Sequence, residues 1–236
     1  MKNVALITGS AKRIGKHIAI TMAKEGYDIA IHYFNSEYDA SDTKNEIKKI
    51  GVNCEIFKCD LSDENETSAL IKNVKSIFPD LNTLINSASI FQKSKLTETT
   101  NSLFDSTINI NLKAPFILTR DFAKLIKKGN IINLIDAKIS NNNFSYSAYS
   151  LSKKGLLELT YLSAKELAPD IRVNGIAPGL ILPPDGEDYT YMDELSKKMP
   201  LKSVGNVQNI SDGIKFLLNN DYITGQVIFI DGGFHL

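Results

Sequence analysis

The 236-residue chain is long enough to bury a core without staples, and 27 Lys plus Arg against 27 Asp plus Glu leave no net field to draw nucleic acid or an anionic membrane. No apolar run approaches membrane-spanning length, and Val4-Ala5-Leu6-Ile7 is too short for a signal-peptide core, so a cytoplasmic protein with small-molecule partners is expected. The only cysteines, Cys54 and Cys59, lie an odd number of residues apart around a predicted strand, which turns them to opposite faces and predicts free thiols in a reducing compartment.

Short apolar runs at 4–8, 28–33, 53–57, 83–86, 130–135, 171–176 and 226–230 predict seven strands. Stretches of helical period separate them, with Gly26, Gly51, Gly129 and Pro169 as punctuation. Strands that alternate with helices imply a parallel sheet covered on both faces, here in one α/β domain over 1–236. Between 112 and 124 the helical pattern runs through Pro115, which predicts a first-turn proline or a kink. Residues 180–203, with Pro183-Pro184 and the acids Asp185, Glu187 and Asp188, show no clear period and predict a mobile loop over a ligand site.

The first predicted strand runs into Thr8-Gly9-Ser10-Ala11-Lys12-Arg13-Ile14-Gly15, and then into a helical pattern carrying Ile18, Ala19 and Met22. Strand, glycine turn and helix together present backbone N–H groups and a positive helix end to a pyrophosphate. Arg13 occupies the slot of a third small residue, where a guanidinium grips phosphate oxygens or serves as a solvated charge at the helix start. At the end of the second strand, His32-Tyr33-Phe34-Asn35-Ser36 lacks the acid that would hold a ribose 2′-OH. Asn35 and Ser36 are polar partners for a 2′-phosphate, so NADPH is favoured over NADH although no strong cation stands in this pentapeptide. Asp60, followed by Leu61, is placed by topology to meet the adenine, or else caps the helix that begins near Ser62-Asp63.

Tyr149-Ser150-Leu151-Ser152-Lys153 puts a phenol and an ammonium four residues apart on one helix face. The cation is expected to draw the phenol down from its usual value near ~10 toward neutrality. Alone, such a pair is more often an exposed helix face. The ordered set is more telling: the glycine turn, Asn86-Ser87-Ala88-Ser89, Asn111, Tyr149 with Lys153, Ile176-Ala177-Pro178-Gly179, Ile223-Thr224-Gly225-Gln226 and Ile230-Asp231-Gly232-Gly233. Over essentially the whole chain this resembles the short-chain dehydrogenase/reductase family.

That resemblance implies a single doubly wound Rossmann-type domain with a seven-stranded parallel sheet. It implies Tyr149 as proton donor, Lys153 on the nicotinamide ribose, Asn111 supporting a proton-relay water, and Pro178 and Gly179 offering backbone groups to the nicotinamide. Ser87 and Ala88 would back the cofactor, with Ser87 where the family commonly has a second Asn. A homotetramer is also implied, packed through the helix that starts near Ser147 and carries Leu156, Leu157, Leu159 and Leu162.

Most members place a Ser about thirteen residues before the Tyr, and this chain has Asp136 there. An ionised carboxylate only accepts hydrogen bonds and repels a carbonyl oxygen that gains negative charge, whereas a pterin offers N–H donors and a ring nitrogen to protonate. Arg13, His32-Tyr33, Ser89, Phe91 and Asp136 together resemble the pteridine reductases and dihydromonapterin reductases. In that group the aromatic matching Phe91 stacks the pterin, and Arg13, Ser89, Asp136 and Tyr149 complete the implied substrate site. Two plainer roles stay open: Asp136 as a cap, and Phe91 as a core residue under the 94–100 loop. The competing readings are a 3-oxoacyl or other carbonyl reductase, from which Asp136 separates the pterin reading, and a binding protein that has lost catalysis, against which Asn111, Tyr149 and Lys153 argue.

Overall fold

The computed structural model describes residues 2–142, 144–184 and 188–236. Seven strands form one parallel sheet: β1 (Val4–Ile7), β2 (Asp28–Tyr33), β3 (Cys54–Lys58), β4 (Leu81–Asn86), β5 (Gly129–Leu134), β6 (Ile171–Pro178) and β7 (Val227–Ile230). Their order is β3-β2-β1-β4-β5-β6-β7. The chain leaves β1 toward one edge and returns to build toward the other, so the switch point between β1 and β4 opens a crevice at the carboxyl ends of the strands.

Alternation along the strands makes two cores. Ala5, Ile7, Ile29 and Ile31 face α1 (Arg13–Lys24) and α2 (Glu37–Ile50), while Leu6, Ala30 and Leu84 face α3 (Glu64–Ile77). Cys54 joins the first core and Cys59 the second, both as free buried thiols, as their odd spacing requires.

Pro115 sits at the start of α5 (Ala114–Leu125), directly after a π-helical turn over Asn109–Lys113 that follows α4 (Asn101–Ile108). The first-turn alternative therefore holds, and a widened turn precedes it. Such turns mark functional positions more often than chance, and this one carries Asn111. The expectation of an irregular loop over 180–203 is corrected, because it contains α7 (Tyr189–Ser196), capped by Asp188, whose Oδ1 accepts the Tyr191 N–H. The prolines and acids ahead of α7 hid its period. Asp185 and Glu187 lie outside the described residues.

In α6 (Ser147–Leu167), Leu156 and Leu159 pack with Ile135 in the chain's own core, so they cannot serve a subunit contact. Leu151 and Leu162 point outward at 53% and 67% exposure. The last helix is α8 (Val207–Asn219), which closes the first core through Ile210, Ile214 and Leu217. Among the described residues, no helix is long and apolar enough to cross a membrane.

Candidate active site

The glycine turn is built for close approach. Gly9 has φ +64°, and a Cβ there would stand 2.9 Å from Ala88 Cα; at Gly15 it would stand 2.3 Å from the Gly9 carbonyl oxygen. Thr8 ties the turn to the end of β4, its Oγ1 accepting the N–H groups of Ser87 at 2.9 Å and Ala88 at 3.0 Å. His32 braces it from β2: Nδ1 accepts the Gly9 N–H at 3.0 Å, which makes Nε2 the donor to the Cys59 carbonyl at 3.0 Å. Burial pushes this imidazole down to about 4, so it is neutral at pH 7 and acts as a strut.

A cleft of about 530 Å³ opens over this turn. Gly9, Arg13, Ile14, Gly15, His32, Asp60, Leu61, Ser87 and Ala88 all border it. Tyr33, Asn35 and Ser36 do not. Tyr33 is corrected to a core residue, since strand alternation sends its ring into the first core, opposite to His32. Lys12 was missed; it borders the cleft as a cation, the residue type absent from 32–36. A basic residue inside the glycine turn was the available signal. Asp60 is partly committed, its Oδ1 accepting from the N–H and hydroxyl of Ser62, while Asp63 caps α3.

Arg13 adopts φ +56°, a left-handed conformation that costs a non-glycine residue about 1–2 kcal/mol. Its Nη2 donates to the Pro183 carbonyl at 2.6 Å, so the side chain bridges the glycine turn to the segment after β6. The glycine cradle, the start of α1 and the Arg13 cation fit a dinucleotide diphosphate, and Lys12 borders the same cleft.

A second, contiguous cavity of about 610 Å³ contains the reactive groups. The Tyr149 phenol donates to Asp136 Oδ2 at 2.6 Å, and Asp136 Oδ1 accepts the Lys138 N–H at 2.7 Å. The carboxylate thus caps the short turn at Ala137–Ser140 and also holds the phenol. Lys153 Nζ donates to the Leu134 carbonyl at 2.8 Å and lies 5.8 Å from the Tyr149 ring centre. Burial lowers its ammonium to about 8 against the opposing charge of Asp136. The expectation of a lowered phenol is corrected: burial first, and then the Asp136 charge and hydrogen bond, raise Tyr149 well above its ordinary value. It remains a protonated acid.

Asn111 does not border either cavity. Its Oδ1 accepts the Ile90 N–H at 2.8 Å, and its Nδ2 donates to the Ile90 carbonyl and to Ser152 Oγ. It positions the segment after β4 from behind the wall. Pro178 and Gly179 do border the reactive cavity, but the Gly179 N–H is taken by the Ile230 carbonyl at 2.9 Å.

Ser89 and Phe91 stand on the facing wall. The Phe91 ring stacks on Tyr146 at 4.6 Å and meets Tyr149 edge-on at 4.7 Å, so it belongs to the site rather than to the core. Tyr146 and Lys138 were missed by sequence reasoning. Lys138 reaches the cavity on the turn at Ala137–Ser140, and Tyr146 reaches it where its bridge to Ser94 clamps the two segments.

A sequence profile described as Enoyl-(Acyl carrier protein) reductase matches residues 9–235. The chain is 34% identical to 3-oxoacyl-[acyl-carrier-protein] reductase FabG of Staphylococcus aureus (strain Mu50), across 100% of this chain and 99% of that one. It superposes with a TM-score of 0.94 on FolM Alternative dihydrofolate reductase 1 from Brucella canis complexed with NADP, at 33% identity over 98% of this chain and 93% of that one. Acetoin dehydrogenase YohF from Salmonella typhimurium follows at 0.91 and 27% identity, over 99% and 96%. With the strand order and the Tyr149–Lys153 pair already in place, the chain belongs to the short-chain dehydrogenase/reductase family of oxidoreductases.

Proposed function

We propose that this enzyme reduces the C=N bond of a dihydropterin or of dihydrofolate, with NADPH as hydride donor. The observation that carries the reading is the 2.6 Å bond from the Tyr149 phenol to Asp136. A carboxylate here accepts from N–H and amino donors of a pterin and repels the oxyanion of a ketone under reduction. NADPH is supported by the NADP complexes of the Brucella FolM proteins and by the cleft's fit to a dinucleotide.

Lys12 and Arg13 would hold the cofactor phosphates, Asp60 and Leu61 the adenine end, and Lys153 the nicotinamide ribose. When bound, the cofactor supplies hydride to the imine carbon. Tyr149, kept protonated by burial and by Asp136, releases its proton to the imine nitrogen. Lys153 stabilises the phenolate left behind, and Asp136 fixes the ring by accepting its N–H groups. Phe91 covers one face of the flat ring.

A second reading, a 3-oxoacyl or other carbonyl reductase, is favoured by the 34% identity to the FabG protein. NADPH oxidation measured with dihydrofolate, dihydrobiopterin and an acetoacetyl thioester decides between them. Turnover of the dihydropterins supports the proposal, and turnover of the thioester alone replaces it.

A further inference from the structure

Two residues beyond Asp136, the turn at Ala137–Ser140 carries Lys138 into the wall of the reactive cavity. Its ammonium stands 5.0 Å from the centre of the Phe91 ring and 5.6 Å from that of Tyr146. Both ring faces hold a cation in place without neutralising it. Among the described residues, no carboxylate pairs with this ammonium.

Among the described residues the side-chain charges on the cavity wall are unequal: Arg13, Lys138, Lys153 and Lys198 border it, and Asp136 is the one acidic side chain that does. The proposed chemistry uses Arg13, Lys153 and Asp136, and leaves Lys138 and Lys198 unassigned. At about 610 Å³ the space takes the nicotinamide end of the cofactor beside Lys153, Pro178 and Gly179 and leaves room toward Lys138 for a bicyclic ring with a side chain. A ring anchored at Asp136 and covered by Phe91 therefore has a side chain inside the same cavity, beside Lys138. Burying an unpaired cation against that side chain disfavours an apolar tail and favours an anionic one.

Resting on the pterin reading, we propose that Lys138 is a specificity-determining residue that binds an anionic group, carboxylate or phosphate, on the substrate side chain. The preferred substrate is a dihydropterin with such a tail, above one with a neutral hydroxyalkyl tail.

The test is steady-state kinetics of the full chain and its Lys138→Gln and Lys138→Arg variants under saturating NADPH. The probes are dihydrofolate, a phosphorylated hydroxyalkyl dihydropterin, and dihydrobiopterin as the neutral tail. For Lys138→Gln, the anionic-to-neutral ratio of kcat/KM should fall about 5–10-fold, through KM, with Lys138→Arg holding the parent ratio. A fall with only one anionic probe also supports the proposal and tells carboxylate from phosphate. An unchanged ratio for both anionic probes overturns it while leaving pterin reduction intact. A parent enzyme that reduces the acetoacetyl thioester and none of the dihydropterins removes the pterin reading itself, and this assignment with it.

Discussion

The phenol of Tyr149 and the carboxylate of Asp136, thirteen residues apart, share a 2.6 Å hydrogen bond that joins the first turn of α6 to the end of β5. Burial first, and then the Asp136 charge and this bond, raise the phenol and keep it protonated, with a carboxylate rather than a hydroxyl beside it. On the proposed reading, one contact serves both the acid and the substrate preference. Asp136→Ser should cut dihydropterin kcat/KM by about 10–100-fold, the equivalent of roughly 1–3 kcal/mol for donors left without an acceptor. Acetoacetyl thioester reduction should rise in the same variant, because a hydroxyl donates to the developing oxyanion. Parallel assays of the two substrates check this, and an unaltered dihydropterin rate would transfer the specificity to other residues.

Tyr149→Phe should lower turnover by about 10²-fold or more, the usual scale for a lost general acid. NADPH affinity, followed by fluorescence titration, should stay near the parent value because the ring remains to pack against Phe91. A near-normal rate would make Asp136 the proton donor.

The strands were legible because most are short, largely apolar runs, with β1 and β2 buried throughout. Their ends shifted where pairing extends beyond the pattern, as at Ala177 and Pro178, which pair with Phe229 and Ile230. Tyr149, Lys153, Asp136 and the glycine turn were legible because their chemistry depends on spacing along one helix, strand end or turn. Tyr146 and Lys138 were not, since the aromatic wall they form with Phe91 exists only once β4 and α6 are brought together. Reading His32 and Tyr33 alike as cofactor residues ignored the alternation that sends neighbours to opposite faces.

Lys12, which borders the cleft where Asn35 and Ser36 do not, should carry the NADPH preference. Lys12→Ala should weaken NADPH binding by about 10-fold, as for a lost charge-assisted contact, and NADH binding by less. Titrating both cofactors against both proteins gives the comparison. An equal loss for the two would place Lys12 on the diphosphate instead.

Subunit assembly should use the outward face of α6. Leu151 and Leu162 are exposed there, with Phe104 at 40% and Phe116 at 51% on α4 and α5. Leu162→Glu adds a charge to this apolar surface and should shift light-scattering mass from tetramer toward smaller species. Leu159→Glu should instead unfold the chain, because Leu159 lies in the core. A parent protein that is monomeric at micromolar concentration would overturn the expectation.

His32 should make stability acid-sensitive in a defined window. Its folded value is depressed to about 4 from 6.5, so between those values the unfolded chain binds more protons than the folded one. Stability therefore falls as pH drops: the contribution is complete above 6.5 and lost progressively down to about 4. The shift corresponds to roughly 3 kcal/mol, a large part of a domain's margin. The physical event is protonation of Nδ1, which abolishes its acceptance of the Gly9 N–H and places a charge in the core beneath the glycine turn. His32→Gln has no titrating ring, and should be less stable than the parent at pH 7 but flatter toward acid. Asp28, lowered against its burial by Lys2 and Asn53, and Glu55, lowered by Lys44, also contribute stability that is lost in acid, but equally in both proteins. Urea melts of the two proteins from pH 7 to 4.5 isolate the His32 part as their difference. That difference should shrink with acid; a constant one would mean that the imidazole is not held neutral by burial.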